Sequence, residues 1–353
     1  MYKVFTDFHH ASLLNSIILL FENRLGGQVY RPIGKEWHER GYWKVYDHPA
    51  TVEQFLGIGG ATPDNTPKLN QIKDYDGGEV YFCNDIDSGK TNKAITFNGF
   101  MSSHFDIVIA SIPQHIEPFR KLCNIHPNKP KLIYQIGNNW NVSPSQETMI
   151  DAVLASARLP VKPNLPFVEY HQEFDLKVFR PSTNTKPKQI ITSFVNCFNT
   201  DQLFSFDWAI FQEVEKKMPD WQFNVYGGGC RDGNASGSQN LANAMTRSKF
   251  IWHTKNAGDG YGHIIHNAAA VARPLIVRRS HYIGKLGDVL MRDGETCITI
   301  DNLTIDEIVN KIEYYSEQSR YEALFTNTYN NFIAKINFES ESNDIRQLLK
   351  NLI

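Results

Sequence analysis

The residues with the clearest chemical pattern lie between 249 and 278. Asp259 and Asn267 stand eight positions apart, with Gly260, Tyr261, Gly262 and His263 between them and Lys255 just ahead. Residues 250–253 read as a short buried strand and residues 255–260 as a glycine-rich loop. From 262 to 272 the apolar residues Ile264, Ile265, Ala268, Ala269 and Ala272 recur at helical spacing. Pro274 stops that helix, and residues 275–277 open the next strand. The first amides of a helix have no partners within it and sit at the positive end of its dipole, so they attract phosphate. Gly260 and Gly262 let backbone approach a ligand with no Cβ in the way.

A second set of reactive types follows the first strand-like run, residues 2–6. Asp7, His9 and His10 stand there, ahead of a helical stripe over residues 11–24 formed by Leu13, Leu14, Ile17, Ile18 and Phe21. Gly26 and Gly27 close that helix and residues 28–31 resume as a strand, which is the opening unit of a doubly wound sheet. Strand-like segments at 79–83, 106–111 and 131–135 are followed by Asp85 and Asp87, by His115, and by Asn138 and Asn139. Ligands collect beyond the carboxyl ends of parallel strands, so these side chains are candidates to look into one cleft. Asp85 and Asp87 are read as a polar turn, with no metal assigned.

The stretch from Asp259 to Pro274, acidic-Gly-aromatic-Gly followed by Asn267, Ala268 and Ala270, resembles the donor-site signature of family 4-type glycosyltransferases of the GT-B fold. Asp259 falls on that family's first acidic position and Asn267 on its second. The resemblance is specific over about 220–315. There a strand at 221–226 ends in Gly227, Gly228 and Gly229, and Thr304 opens a helix after the strand at 296–300. It is diffuse over 165–180, which is similar to the interdomain connection of such enzymes, and only architectural before that.

The resemblance implies two Rossmann-like doubly wound α/β domains facing a cleft. It further implies transfer of a sugar from a nucleotide-diphosphate donor, a UDP- or GDP-sugar, without metal or other cofactor. Asp259 would contact the donor sugar and Asn267 the ribose. Gly228, Gly229, Gly260, Tyr261, Gly262 and His263 would line the donor pocket. Inverting members often place a catalytic histidine just after the first strand, held by an aspartate, which makes His9 or His10 a candidate base beside Asp7. The plain alternative is that either histidine caps or packs against the helix that follows. In a retaining enzyme no such base is needed, and His115 would help position substrate.

Two departures from the family pattern matter. Members usually carry an Arg and a Lys beyond the first strand of the second domain to grip the diphosphate, and residues 193–201 contain neither. Lys255, Arg231, Arg278 and Arg279 are the candidates to supply that charge. Asn267 replaces a carboxylate, although its amide can still donate to and accept from a ribose diol.

The domain expectation is 1–170 for the acceptor side and 171–339 for donor binding. Residues 182–188, with two prolines, would form a linker or exposed loop, and a helix at 340–353 would return to the first domain. At 353 residues the chain exceeds one ordinary domain. A formal charge of −2 gives no global basic field to advertise a nucleic-acid or anionic-membrane partner. Five scattered cysteines form no Cys-x-x-Cys pair, which argues against a zinc site or disulfide framework and for a reducing compartment. The apolar run at 13–21 is too short to span a bilayer and carries no basic flank, so no transmembrane segment is expected and a cytoplasmic enzyme is.

The acceptor class stays open among saccharide, small molecule, protein and nucleic acid. Trp37, Tyr42, Trp43 and Tyr46 among Arg31, Lys35, Arg40 and Lys44 could stack on sugars or bases, or simply pack. A GT-B-like sugar-nucleotide epimerase and a non-catalytic sugar-nucleotide or polymer-binding protein are the competing functions. A dehydrogenase lacks its Gly-x-Gly-x-x-Gly and acidic partner.

Overall fold

A computed structural model of the chain describes residues 1–7, 11–43, 74–75, 80–84, 91–137, 140–159, 163–182, 187–255 and 258–353. His9, His10, Asp85, Asp87, Asn138, Asn139 and the segment from Lys44 to Asp47 lie outside them. The chain divides into two compact units, Met1–Phe174 with Phe338–Ile353, and Asp175–Asn337.

The first unit holds β1 (Lys3–Thr6), β2 (Gln28–Pro32), β3 (Asp74–Tyr75), β4 (Val80–Asn84), β5 (Thr91–Ile95), β6 (Ile107–Ala110), β7 (Lys131–Ile136), β8 (Ala152–Ala155) and β9 (Phe167–Glu169). They form one sheet in the order β3-β4-β5-β2-β1-β6-β7-β8-β9. From β5 to β9 every pairing is parallel, while β3 and β4 add an antiparallel hairpin edge. The central strands read as near-continuous apolar runs because helices cover both faces. β6 is Ile-Val-Ile-Ala and β8 is Ala-Val-Leu-Ala, all buried. The helix expected over 11–24 is α-helical over Ala11–Ile18 and continues as a π-helical turn over Leu19–Arg24.

The terminal helix Phe338–Leu352 belongs with this unit. Its Ile345, Leu348 and Leu349 pack in one apolar cluster with Val4, Ile17, Phe21, Val29 and Ile107. Arg24 binds both Glu173 and Glu339, and the Arg346 guanidinium donates to the Arg24 carbonyl at 2.7 Å.

The second unit holds β10 (Ile190–Ser193), β11 (Gln222–Val225), β12 (Phe250–His253), β13 (Leu275–Val277) and β14 (Cys297–Thr299). The sheet order is β11-β10-β12-β13-β14, all parallel. Phe211 and Val214 of the helix Ser205–Lys217 pack with Ile308 and Ile312 of the helix Ile305–Ser316 over β10 and β12. Thr304 and Glu307 close the latter helix with a reciprocal capping box.

In both sheets the strand order reverses beside the first strand. β10 leads outward to β11 on one side, whereas β12 leads to β13 on the other. The loops leaving β10 and β12 therefore diverge and open a crevice beyond their carboxyl ends. The same reversal falls between β1 and β6 in the first unit. The side chains at these two places are therefore candidates to meet a ligand.

Candidate functional site

The loop after β12 is built on unusual backbone. Asp259 has φ +57° and Gly262 φ +79°. Gly262 caps the helix His263–Ala270 in left-handed geometry, where a Cβ would stand 2.6 Å from Ile265 Cδ1. A residue other than glycine is disfavoured there both by backbone and by space. Tyr261 is buried and stacks flat on His266, ring centroids 4.1 Å apart, and His266 Nδ1 donates to the Gly262 carbonyl at 2.9 Å. These contacts pin the first helical turn, in which Ile265 N and His266 N both donate to the Gly262 carbonyl. Asn267 is buried one turn in, and its Oδ1 has no hydrogen-bond partner among the described residues.

Asp259 is held by groups from two neighbouring strands. Its Oδ2 lies 3.0 Å from His253 Nε2, at the end of β12, and accepts from the Tyr282 hydroxyl, beyond β13, at 2.6 Å. Lys255 Nζ is 3.8 Å from the same oxygen. Burial alone would raise the Asp259 carboxyl. The hydrogen bond and charge of His253, the charge of Lys255 and the Tyr282 hydroxyl outweigh it and hold Asp259 well below the usual carboxylate range. Burial is the largest influence on His253 and pushes it down, against the hydrogen bond and charge of Asp259. Asp259 is therefore a fixed anion in this loop. All its hydrogen bonds among the described residues go to Oδ2, which leaves Oδ1 to accept from a ligand hydroxyl.

The ends of β10 and β11 meet on the other side of the crevice. Gly228 N donates to Asn196 Oδ1 at 3.0 Å, and Cys197 N donates to the Gly228 carbonyl at 2.9 Å. A Cβ on Gly227 would strike Asn196 Cα at 2.9 Å, so this glycine exists for close approach of the two loops. A Cβ on Gly228 would meet nothing within 4 Å, whereas one on Gly229 would lie 3.5 Å from Thr200 Oγ1. Arg231 is engaged within the unit: its guanidinium bonds Glu215 at 2.9 Å, Asp232 at 3.2 Å and the Phe223 carbonyl at 2.7 Å. Arg278 binds the buried Asp207 at 2.6 Å and Arg279 binds Asp288 at 3.0 Å. Of the cations expected to face a diphosphate, Lys255 alone stands in the loop itself.

In the first unit, Asp7 follows β1, Ser111 follows β6, and His115 lies in the helix Pro113–Ile125. The Asp7 carboxylate is fully buried, accepts from Ser111 N at 2.8 and 3.0 Å, and lies 2.5 Å from His115 Nδ1. Asp7 thus partners His115 across adjacent strands, while His9 and His10, the expected partners, lie outside the described residues. His115 is itself buried between Phe119, stacked at 5.0 Å, and Trp43 at 4.7 Å. Two members of the aromatic segment pack: Trp37 stacks on Phe5 at 4.6 Å and is fully buried, and Trp43 is buried too.

Sequence reasoning missed His253 and Tyr282, the groups that fix Asp259, and Asn196, which holds Gly228. The one available signal was position, since His253 and Asn196 each stand at a strand's carboxyl end. Among the described residues no group of three or more His, Cys, Asp or Glu is placed to hold a metal ion, and no helix is long and apolar enough to cross a membrane.

No protein-family model matches the chain, and no curated protein matches it in sequence. Solved structures do match. A sucrose-phosphate synthase from Thermosynechococcus elongatus is 10% identical with a TM-score of 0.64, covering 100% of this chain and 99% of that one. Anabaena HepE in complex with UDP and glucose is 11% identical with a TM-score of 0.63, covering 100% of both chains. An alpha-glucosyltransferase in complex with UDP and a mismatch-containing DNA is 9% identical with a TM-score of 0.61, covering 98% of this chain and 99% of that one. At these identities the likeness speaks for architecture, and the chain has the GT-B glycosyltransferase fold along its whole length.

Proposed function

We propose that this protein is a glycosyltransferase that moves a sugar from a nucleotide-diphosphate donor bound by the unit Asp175–Asn337. The carrying observation is the loop Asp259–Gly262 at the β10/β12 reversal. It combines a fixed carboxylate, a left-handed glycine and a helix N-terminus in one place. The helix amides would stabilise charge developing on the leaving diphosphate, and Asp259 Oδ1 would accept from a donor-sugar hydroxyl. Asn267, with its unpartnered Oδ1, suits the ribose. Several of the similar structures hold UDP, UDP with glucose, or UDP-glucose, so UDP-sugars come first, with GDP-sugars next.

We assign the acceptor side to the first unit, at the β1/β6 reversal. Retention of configuration is the favoured course, because the carboxylate that would orient a base at His9 or His10 is already bonded to Ser111 and His115. A saccharide acceptor fits better than a nucleic acid. Trp37 and Trp43, which would stack on bases, are packed in the core, and the formal charge is −2. The reading includes independence from added metal, since cations of the chain and the helix terminus face the diphosphate.

A thermal-shift screen of UDP-, GDP-, ADP- and dTDP-sugars tests the proposal, followed by assay of nucleotide release in EDTA. One donor should raise the unfolding temperature and be cleaved slowly to free nucleotide. At a ligand concentration of about 100 times Kd the gain is roughly 2.7 kcal/mol. An epimerase would convert the donor without releasing nucleotide. Absence of any shift across all four would end the reading.

A further inference from the structure

We propose that Lys285, on the turn after β13, grips the donor diphosphate together with Lys255 and so replaces the Arg/Lys pair absent from residues 193–201. The assignment rests on the nucleotide-sugar reading above. Its starting point is a census of the cations at the carboxyl end of this sheet. Arg231, Arg278 and Arg279 each bind a carboxylate, Glu215, Asp207 and Asp288 in turn. Turning any of them to a ligand would leave an anion behind, fully buried in the case of Asp207.

Lys285 is differently placed. Its Nζ lies 3.2 Å from the Gly258 carbonyl and 3.0 Å from His281 Nε2, and 5.2 Å from the Tyr282 ring centroid. No carboxylate lies within 4 Å of Lys285 Nζ among the described residues, while the Asp259 charge acts on it from farther off. His281 Nε2 also lies 3.0 Å from the Gly258 carbonyl, and burial together with the neighbouring Lys285 charge keeps His281 below its ordinary value. Gly258 directly precedes Asp259, and Lys255 Nζ stands 3.8 Å from that carboxylate. Two ammonium groups thus converge on one turn that carries a single carboxylate. A surplus positive charge faces the backbone leading into Gly260 and Gly262.

The chemistry suits a diphosphate. An ammonium on a four-carbon stem is a mobile point charge that can leave the Gly258 carbonyl for phosphate oxygens. An ion pair with phosphate is stronger than the ammonium's bond to an uncharged carbonyl that it would replace. Burial lowers Lys285 in the ligand-free protein, and an arriving anion reverses that direction.

The test is calorimetric titration of UDP, GDP, ADP, dTDP, inorganic pyrophosphate and uridine into the wild type, and of UDP, pyrophosphate and uridine into Lys285→Met and Lys285→Arg. Lys285→Gln replaces the methionine variant if that one does not fold. The neutral variant should bind UDP and pyrophosphate about 10-fold or more weakly, with a shallower salt dependence, and bind uridine as the wild type does. Lys285→Arg should recover most of the loss. If the wild type binds UDP and the neutral variant matches it within about two-fold, the assignment is wrong while the nucleotide reading stands. If the wild type binds neither UDP, GDP, ADP, dTDP nor pyrophosphate, both fall.

Discussion

Asp259→Ala should lower kcat/KM for the donor by roughly 10–100-fold while the protein stays folded. That range is the loss of one hydrogen bond to a charged group, at about 1.5–3 kcal/mol. The carboxylate is already anchored at Oδ2 by His253 and Tyr282, so the wild type orders nothing further when Oδ1 takes a sugar hydroxyl. Such preorganisation is why a single substitution should weigh so heavily. Asp259 occupies a left-handed backbone position, which alanine tolerates less well than aspartate. A modest stability loss is therefore expected alongside, and circular dichroism separates it from the kinetic effect. Donor kinetics unchanged within error in a folded Asp259→Ala protein would remove Asp259 from the site.

The largest expected stability effect lies in the other unit. Asp7→Ala removes the acceptor of both the Ser111 amide and His115 Nδ1, all within a fully buried environment. Leaving a buried donor unsatisfied costs about 1–3 kcal/mol, so two such donors put the loss at roughly 3–5 kcal/mol. Asp7→Asn keeps the shape and one acceptor oxygen and should lose clearly less. Because the chain has two compact units, the loss should show in one transition of a denaturant or thermal profile and spare the other. A destabilisation below about 0.5 kcal/mol for Asp7→Ala would mean that the buried pair is not formed as described.

The sequence-legible part of the site is the part written locally. The helix His263–Ala270 shows in its apolar spacing and in Pro274, and Gly262 marks its start, because helix periodicity and caps are short-range features. The Thr304–Glu307 capping box is local in the same way. The strand Ala152–Ala155 escaped notice because small apolar residues without turn signals on either side carry no period. The partnerships were invisible for a different reason. His253 and Tyr282 are separated by 29 residues and meet because β12 and β13 pair in parallel. Asp7 and His115 are 108 residues apart and meet because β1 lies against β6. Both acidic residues stood out by type and position, but which histidine each would engage depends on strand order. Arg231 shows the converse case. Its place after Gly229 suggested a ligand contact, and the tertiary structure instead gives it Glu215 from the helix Ser205–Lys217.

Amide hydrogen exchange, with and without a saturating nucleotide chosen by the thermal screen, measures the location of the donor site directly. The account predicts new protection in residues 258–267, together with the loops at 194–201 and 227–229 across the β10/β12 crevice. The rest of that sheet should change little, since its strands are already buried. Protection confined to Met1–Phe174, or absent while the nucleotide binds, would contradict it.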